Sequence, residues 1–515
     1  MIKKEHHLNI KAYMPTAKTL AKNTAFNFLG QVLVALTAII MVPMIVKGLG
    51  YASYGLLSLA LVVLGSFSIL EMGLGRSTTK FIAEYLNNGD WENLSAIFWS
   101  SLGLQLMLGA LAGFFIASSA PIIAKSVNIT TDKLTDVVNT IYVLALSAPI
   151  VLVSSSLRGT LEGAQRFDLV NYIKTITNIS TYIIPAISIK FHLNVPTIVF
   201  LIFAVRILAS IGYLFSCLHI LPPLRKPIII KKIHASSLFS YTGWVAISNI
   251  IVPFLTQIDR YLLATIVSVS AVTFYTVPFE ILNGLWIIPG SISGVLFPAF
   301  SSLYANKNTD DIVNIYIRPI KYILLTLTPI VLIISIFAKD ILLLWQGTTF
   351  ADNSTIVLQI LVIGVLINSL EWVPANLLMG IGRADLPAKV HIVQTPLYLA
   401  LVYLFILKWG LIGAALAFTL RVIFEAVLIF AAVWRLIPEV RHVLLKRLSG
   451  VLYPLISFMV LLVILQKITM SLMIHVVMVI ILCICYLLIA WLYVLEDSEK
   501  NMLLSFLPIG SKLAE

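Results

Sequence analysis

The 515-residue chain is 60% hydrophobic and only 11% charged, with a mean hydropathy of +1.00, which excludes an ordinary soluble globular protein of this size. Apolar runs of about 20 residues recur along the chain, long enough to cross a bilayer core, and they are continuous rather than alternating, which excludes a β-barrel. The net charge of +12 lies in short loops between these runs. That distribution follows the positive-inside rule and argues against a nucleic-acid partner.

We therefore predict an all-α polytopic membrane protein with about fourteen transmembrane helices, arranged as two six-helix bundles and a C-terminal helix pair. The predicted spans of the first bundle are 24–46, 53–74, 96–117, 137–157, 169–190 and 196–218, those of the second are 238–263, 271–296, 319–338, 354–376, 388–407 and 411–434, and those of the pair are 449–466 and 473–494.

The loops between the spans are predicted to lie alternately outside and in the cytosol. The corresponding domains are an N-terminal segment (1–23), the first bundle (24–218), a basic linker (219–237), the second bundle (238–434), a basic loop with the tail pair (435–494) and a C-terminal tail (495–515). With the N-terminus inside, about 24 Lys and Arg residues fall in cytosolic loops and about 8 in outer loops. This bias predicts that both termini are cytosolic.

No loop is long enough for a soluble catalytic or nucleotide-binding domain, and no phosphate-binding loop motif is present. The 3 cysteines lie inside apolar runs without metal-ligand spacing. We expect no catalytic residues, no metal and no cofactor.

A short polar hinge between apolar runs occurs twice. The segments Leu161–Leu169 and Leu378–Leu386 agree at five of nine positions without gaps, at a shift of 217 residues. A match of this kind predicts a duplicated bundle, as in many membrane transporters. The candidate hinge residues are Gly163, Arg166, Asp168, Gly380, Arg383 and Asp385.

Three ionisable side chains are predicted near the middle of their spans, where charge is costly in a bilayer. Arg206 lies roughly 15 Å deep at 1.5 Å per residue, Arg421 lies at a similar depth, and Glu280 lies near the middle of the eighth span. Such residues usually face a cavity or a partner, and a guanidinium binds phosphate through two parallel hydrogen bonds. We expect Arg206 and Arg421 at a substrate cavity and Glu280 in ion coupling.

Each of these residues also has a structural interpretation. Arg421 and Glu425 are four residues apart on one helix face and can neutralise each other, although Glu425 is also a candidate for ion coupling. Glu280 can pair with Arg206 across the bundles, or it can carry a proton. Lys174 can extend to the cytosolic interface or contact phosphate at the mouth of a cavity.

Further charges lie near the ends of spans. Asp259 and Arg260 are adjacent, so that they must reach different neighbours, and they are candidates for a gate-stabilising pair across the bundles. Asp259 is also a candidate for ion coupling, and Arg260 and Lys47 are candidates for the substrate cavity. We expect Glu71 and Glu371 at the membrane interface.

Three motifs carry a family resemblance. Lys47-Gly48-Leu49-Gly50-Tyr51-Ala52-Ser53-Tyr54-Gly55 is similar to an LG-x-x-x-YG turn, Gln257-Ile258-Asp259-Arg260-Tyr261 is similar to a D-R motif, and the Gly/Arg hinges complete the set. Over about residues 20–440 the chain resembles the polysaccharide-transport branch of the multidrug/oligosaccharidyl-lipid/polysaccharide flippase superfamily.

The resemblance implies two six-helix bundles around a cationic cleft, with Lys47, Asp259, Arg260 and Glu280 in or near it. It also implies movement of undecaprenyl-diphosphate-linked oligosaccharide across the bacterial cytoplasmic (inner) membrane, coupled to an ion gradient. The tail pair is similar to one in peptidoglycan-precursor flippases, but the first span lacks the arginines of those relatives, which argues against that substrate.

The leading hypothesis is a flippase for polysaccharide biosynthesis whose partners are the lipid-linked oligosaccharide, membrane lipid and a polysaccharide polymerase, with a monomer expected. One alternative is a drug/cation antiporter of the same fold, which would need acidic residues in the first bundle. The other is a membrane-embedded glycosyltransferase or polymerase, which would need acidic residues in outer loops.

Overall fold

The computed structural model describes residues 17–70, 74–225, 248, 251–306, 309–468, 472–497 and 499–500, and within them it is all helical, as predicted. The first nine helices are α1 (Ala17–Leu49), α2 (Tyr51–Leu70), α3 (Leu74–Asn88), α4 (Trp91–Ser126), α5 (Leu134–Gly163), α6 (Phe167–Ser188), α7 (Val195–Ile220), α8 (Ile258–Ile266) and α9 (Val269–Asn283). The next seven are α10 (Ile287–Ala305), α11 (Thr309–Ile336), α12 (Ala338–Gln346), α13 (Thr348–Gly380), α14 (Asp385–Leu436), α15 (Pro438–Lys467) and α16 (Leu472–Ile489).

Ten helical segments of the described chain are long and apolar enough to cross a membrane. Helix α14 contains two predicted spans, and its backbone leaves the helical conformation at Gly410 (φ 55°, ψ −124°), between them. The beginning of the seventh predicted span lies outside the described residues. The total of fourteen spans and the predicted domain boundaries remain predictions.

Helix α3 was not predicted from the sequence. It is amphipathic, since Ile82 and Leu86 are buried while Lys80 and Asn87 are exposed. Its apolar face packs into a cluster that includes Phe98 of α4. The helix therefore closes one end of the α4–α5 pair.

The chain forms two compact units. The first contains Met1–Ile287 and His391–Phe418, and the second contains Ile288–Val390 and Thr419–Glu515. In the first unit, Gly113 of α4 packs directly against Ala145 of α5, because small residues let helix backbones approach where lipid supplies no hydrophobic driving force.

In the second unit the tail helices α15 and α16 pack on α11. Phe458 and Tyr486 form their core with Leu325, and the Tyr486 hydroxyl donates to the Leu325 carbonyl at 3.1 Å. Beyond α16, the buried carboxylate of Glu499 accepts a hydrogen bond from Lys321 of α11 at 2.6 Å. The tail pair is therefore an integral part of this unit.

The two hinges have the same local structure, which supports the duplication. The amide of Arg166 donates to the Leu161 carbonyl at 2.8 Å, and the amide of Arg383 donates to the Leu378 carbonyl at 2.8 Å. The positions before these arginines, Gln165 (φ 59°) and Gly382 (φ 80°), are both left-handed. The repeated motif therefore encodes one turn, used once in each unit.

Each hinge arginine also holds its own aspartate. The Nε atom of Arg166 donates to Asp168 at 2.9 Å, and that of Arg383 donates to Asp385 at 2.9 Å. The hydrogen bonds from Arg166 hold the pKa of the Asp168 carboxyl below its ordinary value. Gly163 packs against the Thr79 carbonyl, where a Cβ would lie at 2.8 Å, which explains why this position carries no side chain.

Candidate functional site

Three adjoining cavities in the first unit form what we call the chamber. The cavities have volumes of about 400, 230 and 150 Å³. Lys174 and Asn178 line both the first and the second, while Tyr182 and Glu280 line both the first and the third. Three residues on one face of α6, together with Glu280 of α9, therefore connect the three cavities in a continuous polar path.

The 230 Å³ cavity, which we call the cation compartment, brings together Arg158 of α5, Lys174 of α6 and Arg206 of α7. The Nε atom of Arg206 is buried and has no hydrogen-bond partner among the described residues. Arg158 makes a long, partly exposed ion pair with Glu162 at 3.6 Å. Because a guanidinium stays charged, Arg206 leaves a buried positive group available to an anion.

The 400 Å³ cavity, which we call the amide compartment, is lined by side-chain carboxamides from three helices: Asn27, Gln31, Asn171, Asn178 and Asn283. On α1, Gln31 Nε2 donates to Asn27 Oδ1 at 3.1 Å, and the two are one turn apart. Helix α6 presents Asn171 and Asn178 at helical spacing, with Lys174 and Thr175 between them on the same face.

Helices α1 and α6 approach closely beside this compartment. A Cβ at Gly30 would lie 2.5 Å from Thr175 Oγ1, inside normal van der Waals contact. The glycine therefore lets the two polar faces meet.

Glu280 of α9 lies between the amide compartment and the third cavity. Its Oε2 accepts hydrogen bonds from the Tyr182 hydroxyl at 3.0 Å and from Asn283 Nδ2 at 3.3 Å. Arg260 of α8 lines the third cavity with it, donates to Gln257 Oε1 at 2.8 Å and stacks 5.1 Å from the Phe279 ring centre. The Glu280 carboxylate therefore shares a cavity with Arg260. Arg206, the partner considered for Glu280 from the sequence, lines a different cavity.

Asp259 does not line the three cavities of the chamber, although its neighbour Arg260 does. Its fully buried carboxylate accepts hydrogen bonds from the Tyr275 hydroxyl and, at 2.8 Å, from the backbone amide of Arg260. Asp259 and Arg260 therefore do reach different neighbours, and Asp259 fixes the start of α8 behind the chamber wall. Lys47 is exposed at the end of α1 and does not line these cavities.

Arg421 and Glu425 of α14 belong to the second unit and form the ion pair that their spacing predicts, with Arg421 Nη1 donating to Glu425 Oε2 at 3.0 Å. Both are at least 90% buried, so Arg421 is neutralised within its own unit. Glu371 of α13 is also buried by its neighbours, and its expected position at the membrane interface stays a prediction. Hydropathy places a residue along a span but does not reveal which helix covers it. Glu71 lies outside the described residues.

One end of the first unit is closed by hydrogen bonds, and we call this the closed end. The Asn128 amide donates to the Ala264 carbonyl at 2.9 Å, and Asn128 Nδ2 donates to the Val267 carbonyl at 2.9 Å. Thr273 Oγ1 donates to the Tyr51 carbonyl at 2.6 Å. These contacts tie α2 and the α4–α5 connection to α8 and α9.

Two glycines of the first motif belong to this closed end. Gly50 turns the chain between α1 and α2 with φ of 77°, where L side chains are strained. A Cβ at Gly55 would overlap the carbonyl group of Val269, 2.9 Å from its carbon. The spacing of the motif thus places the tight turn at Gly50 about one and a half helical turns before the close contact of Gly55 with α9.

Known proteins agree with this architecture. The model of the family described as polysaccharide biosynthesis protein matches residues 20–304, more than half of the chain. The chain belongs to this family. The MatE family model matches residues 245–404 of the same chain, which supports the resemblance to the multidrug/oligosaccharidyl-lipid/polysaccharide flippase superfamily.

One relative of this polysaccharide-family chain is a Shigella flexneri protein named "Putative O-antigen transporter". It is 28% identical over 419 residues, covering 80% of this chain and 97% of the relative.

Two solved structures share the fold. An inward-facing multidrug-resistance MATE transporter has a TM-score of 0.69 at 15% identity, covering 81% of this chain and 99% of that one. The lipid II flippase MurJ in an inward closed conformation has a TM-score of 0.66 at 13% identity, covering 92% and 99%.

Sequence reasoning missed several chamber residues of this family member. In the sequence, Arg158 is one of several charges in a predicted cytosolic loop. Its spacing to Glu162, four residues later, is that of an ordinary ion pair at the membrane interface. The carboxamides were not identified either, although Asn171, Lys174 and Asn178 recur at helical spacing in the sequence. A polar stripe within an otherwise apolar span was the signal that could have found them.

Proposed function

We propose that the chain is a flippase that moves undecaprenyl-diphosphate-linked oligosaccharide from the inner to the outer leaflet of the bacterial cytoplasmic membrane. The observation that carries the proposal is the cation compartment, where Arg158, Lys174 and Arg206 converge on one cavity in an apolar helical unit. Positive charge clustered in an apolar helical unit is costly unless water or an anion compensates it. A diphosphate supplies that anion and matches the forked geometry of arginine.

The charge balance of the chamber supports an anionic substrate over a cationic one. The charged residues that line its three cavities are the cations Arg158, Lys174, Arg206 and Arg260 and the carboxylate Glu280. A drug/cation antiporter would need the opposite excess. Membership of the polysaccharide family and the O-antigen transport named for the Shigella flexneri relative favour a glycan substrate.

The proposed mechanism is alternating access. The amide compartment lies along residues 27–38 of α1, 171–182 of α6 and the end of α9, whereas the contacts of the closed end lie at the start of α2, the α4–α5 connection, the end of α8 and the start of α9. With both termini in the cytosol, the amide compartment lies in the cytosolic half and the closed end faces outward. The diphosphate head enters the chamber while the polyprenyl tail stays in membrane lipid, and opening of the closed end releases the head outside.

An ion gradient is proposed to drive the cycle. Glu280 is the leading coupling residue, because it lines the chamber beside Arg260 and can take up a proton when the anionic substrate leaves. Glu425 is a second candidate through its pair with Arg421. The chain acts as a monomer without a cofactor or covalent catalysis and delivers its substrate to a polysaccharide polymerase.

The experiment is complementation of a deletion strain with Arg206→Ala, Arg206→Lys and Lys190→Ala. Lys190 is an exposed cation outside the chamber and serves as the matched control. A hydrogen bond to a charged group contributes about 1.5–3 kcal/mol, so we expect Arg206→Ala to reduce surface polysaccharide by roughly 10-fold or more. Arg206→Lys should retain part of the activity. Normal export by Arg206→Ala at equal membrane abundance would refute the proposed role of the compartment.

A further inference from the structure

The amide compartment differs chemically from the cation compartment that adjoins it. Its carboxamides come from α1, α6 and α9, and they surround a cavity of about 400 Å³, within the range of roughly 300–1,000 Å³ typical of small-ligand sites. Each carboxamide offers two donors and one acceptor group without net charge. That combination matches hydroxyl and acetamido groups, whereas a phosphate only accepts hydrogen bonds and a polyprenyl chain makes none.

Much of this hydrogen-bonding capacity is uncommitted. Asn171 and Asn178 have no hydrogen bond within the part of the chain that the structure describes. Among the described residues, the bond from Gln31 to Asn27 leaves the Gln31 oxygen and the Asn27 amino group available, and Asn283 keeps its oxygen after donating to Glu280. These side chains face the open cavity, so the set favours a neutral polar ligand that can replace water on them.

The position of the compartment specifies what that ligand is attached to. Lys174 and Asn178 line both the amide and the cation compartments. A ligand that fills both must therefore carry a neutral polyhydroxylated part directly next to an anionic part. A saccharide linked to a diphosphate has this order of groups.

We propose that the amide compartment binds the sugar residue attached directly to the diphosphate. This inference rests on the proposed function and assigns the two parts of the substrate to two different sets of side chains. Arg206 and its neighbours hold the diphosphate of any lipid-linked substrate. Asn171 and Asn178 distinguish a glycosylated lipid diphosphate from one that carries no sugar.

The test is equilibrium binding to the full-length chain in nanodiscs, with two probes: farnesyl diphosphate and farnesyl-diphosphate-linked N-acetylglucosamine. The wild-type chain should bind the sugar-bearing probe more tightly. Each neutral hydrogen bond contributes a factor of roughly 2–10 to affinity, so Asn171→Ala, which alters the amide compartment alone, should weaken binding of the sugar-bearing probe by roughly 2- to 10-fold. Its affinity for farnesyl diphosphate should not change, while Arg206→Ala should weaken both probes.

Two further variants keep the result interpretable. Asn139→Ala, at an exposed position of α5 outside the chamber, is the matched control and should bind both probes normally. Gln31→Leu alters the compartment from α1 and should reproduce the selective loss if the Asn171→Ala variant does not fold, as judged by thermal unfolding. Equal weakening of both probes, or equal affinity of the wild-type chain for both, would overturn the inference while leaving the proposed diphosphate site intact. Failure of the wild-type chain to bind either probe would refute the proposed function, and the inference with it.

Discussion

Replacing Gly55 with alanine should open the closed end. Position 55 packs against the α9 backbone, and a Cβ there would lie 2.9 Å from the Val269 carbonyl carbon and closer still to its oxygen. The carbonyl carbon alone requires α2 and α9 to separate by 0.5 Å to reach an ordinary contact of 3.4 Å, and the nearer oxygen requires more. Overpacking of this kind costs about 1–3 kcal/mol. Because the strain exists only while the end is closed, the open state should gain roughly 5- to 150-fold in relative population.

The assay is maleimide labelling of Thr273→Cys in whole cells, in a background that lacks the three native cysteines. Thr273 is fully buried at the closed end, so its labelling rate reports the open population. The matched control is Gly212→Ala on α7, where the new Cβ would make only an ordinary 3.7 Å contact with Ile173. We expect faster labelling with Gly55→Ala and no change with Gly212→Ala. An unchanged rate for Gly55→Ala, in protein that reaches the membrane normally, would refute this account of the closed end.

Three further predictions concern the second unit. Gly382→Ala should destabilise the chain by about 1 kcal/mol through left-handed backbone strain alone, since no atom lies within 4 Å of the new Cβ; an unchanged unfolding midpoint in detergent would contradict this. Burial raises the pKa of Glu499, but the hydrogen bonds from Lys321, Tyr322 and the Glu496 amide, together with the Lys321 charge, outweigh it and lower the pKa. The stabilisation from this carboxylate is therefore present above the unfolded pKa of about 4.3 and is lost as pH falls through the lower folded value. Unfolding scans should show a smaller loss of stability on acidification in Glu499→Gln than in wild type, and parallel pH profiles would exclude the effect. Glu425→Gln removes the buried ion-pair partner of Arg421 and should destabilise by about 3–5 kcal/mol, measured as a lower unfolding midpoint; retention of the wild-type midpoint would show that the pair is dispensable.

The helical architecture was predictable because membrane spans are encoded locally. A run of apolar residues fixes a helix wherever its neighbours lie, and the Gly410 break falls between two predicted spans. The hinge was predictable for the same reason, since Arg166 contacts Asp168 only two residues away. Helix α3 escaped detection because its apolar face is one side of a short, otherwise polar segment.

The chamber was predictable only in part because it depends on how helices rotate against one another. The depth of Arg206 and Glu280 in their spans identified both as unusual, but their assignment to separate cavities follows from contacts of α6 with its neighbours. Arg421 lies at the same predicted depth in its span as Arg206, and yet it forms an ion pair with Glu425 within its own unit. Depth identifies a costly charge, whereas only packing shows whether a neighbour or a ligand compensates it.

The most direct test of the central claim is the leaflet in which lipid-linked saccharide accumulates when the gene is deleted. Spheroplasts of the deletion strain are treated with a membrane-impermeant enzyme or lectin specific for the saccharide, before and after permeabilisation. The cationic chamber predicts that the undecaprenyl-diphosphate-linked saccharide accumulates and is reached only after permeabilisation, and that the wild-type gene, but not its Arg206→Ala variant, reverses this. Accumulation accessible in intact spheroplasts would place the block after translocation and contradict the account.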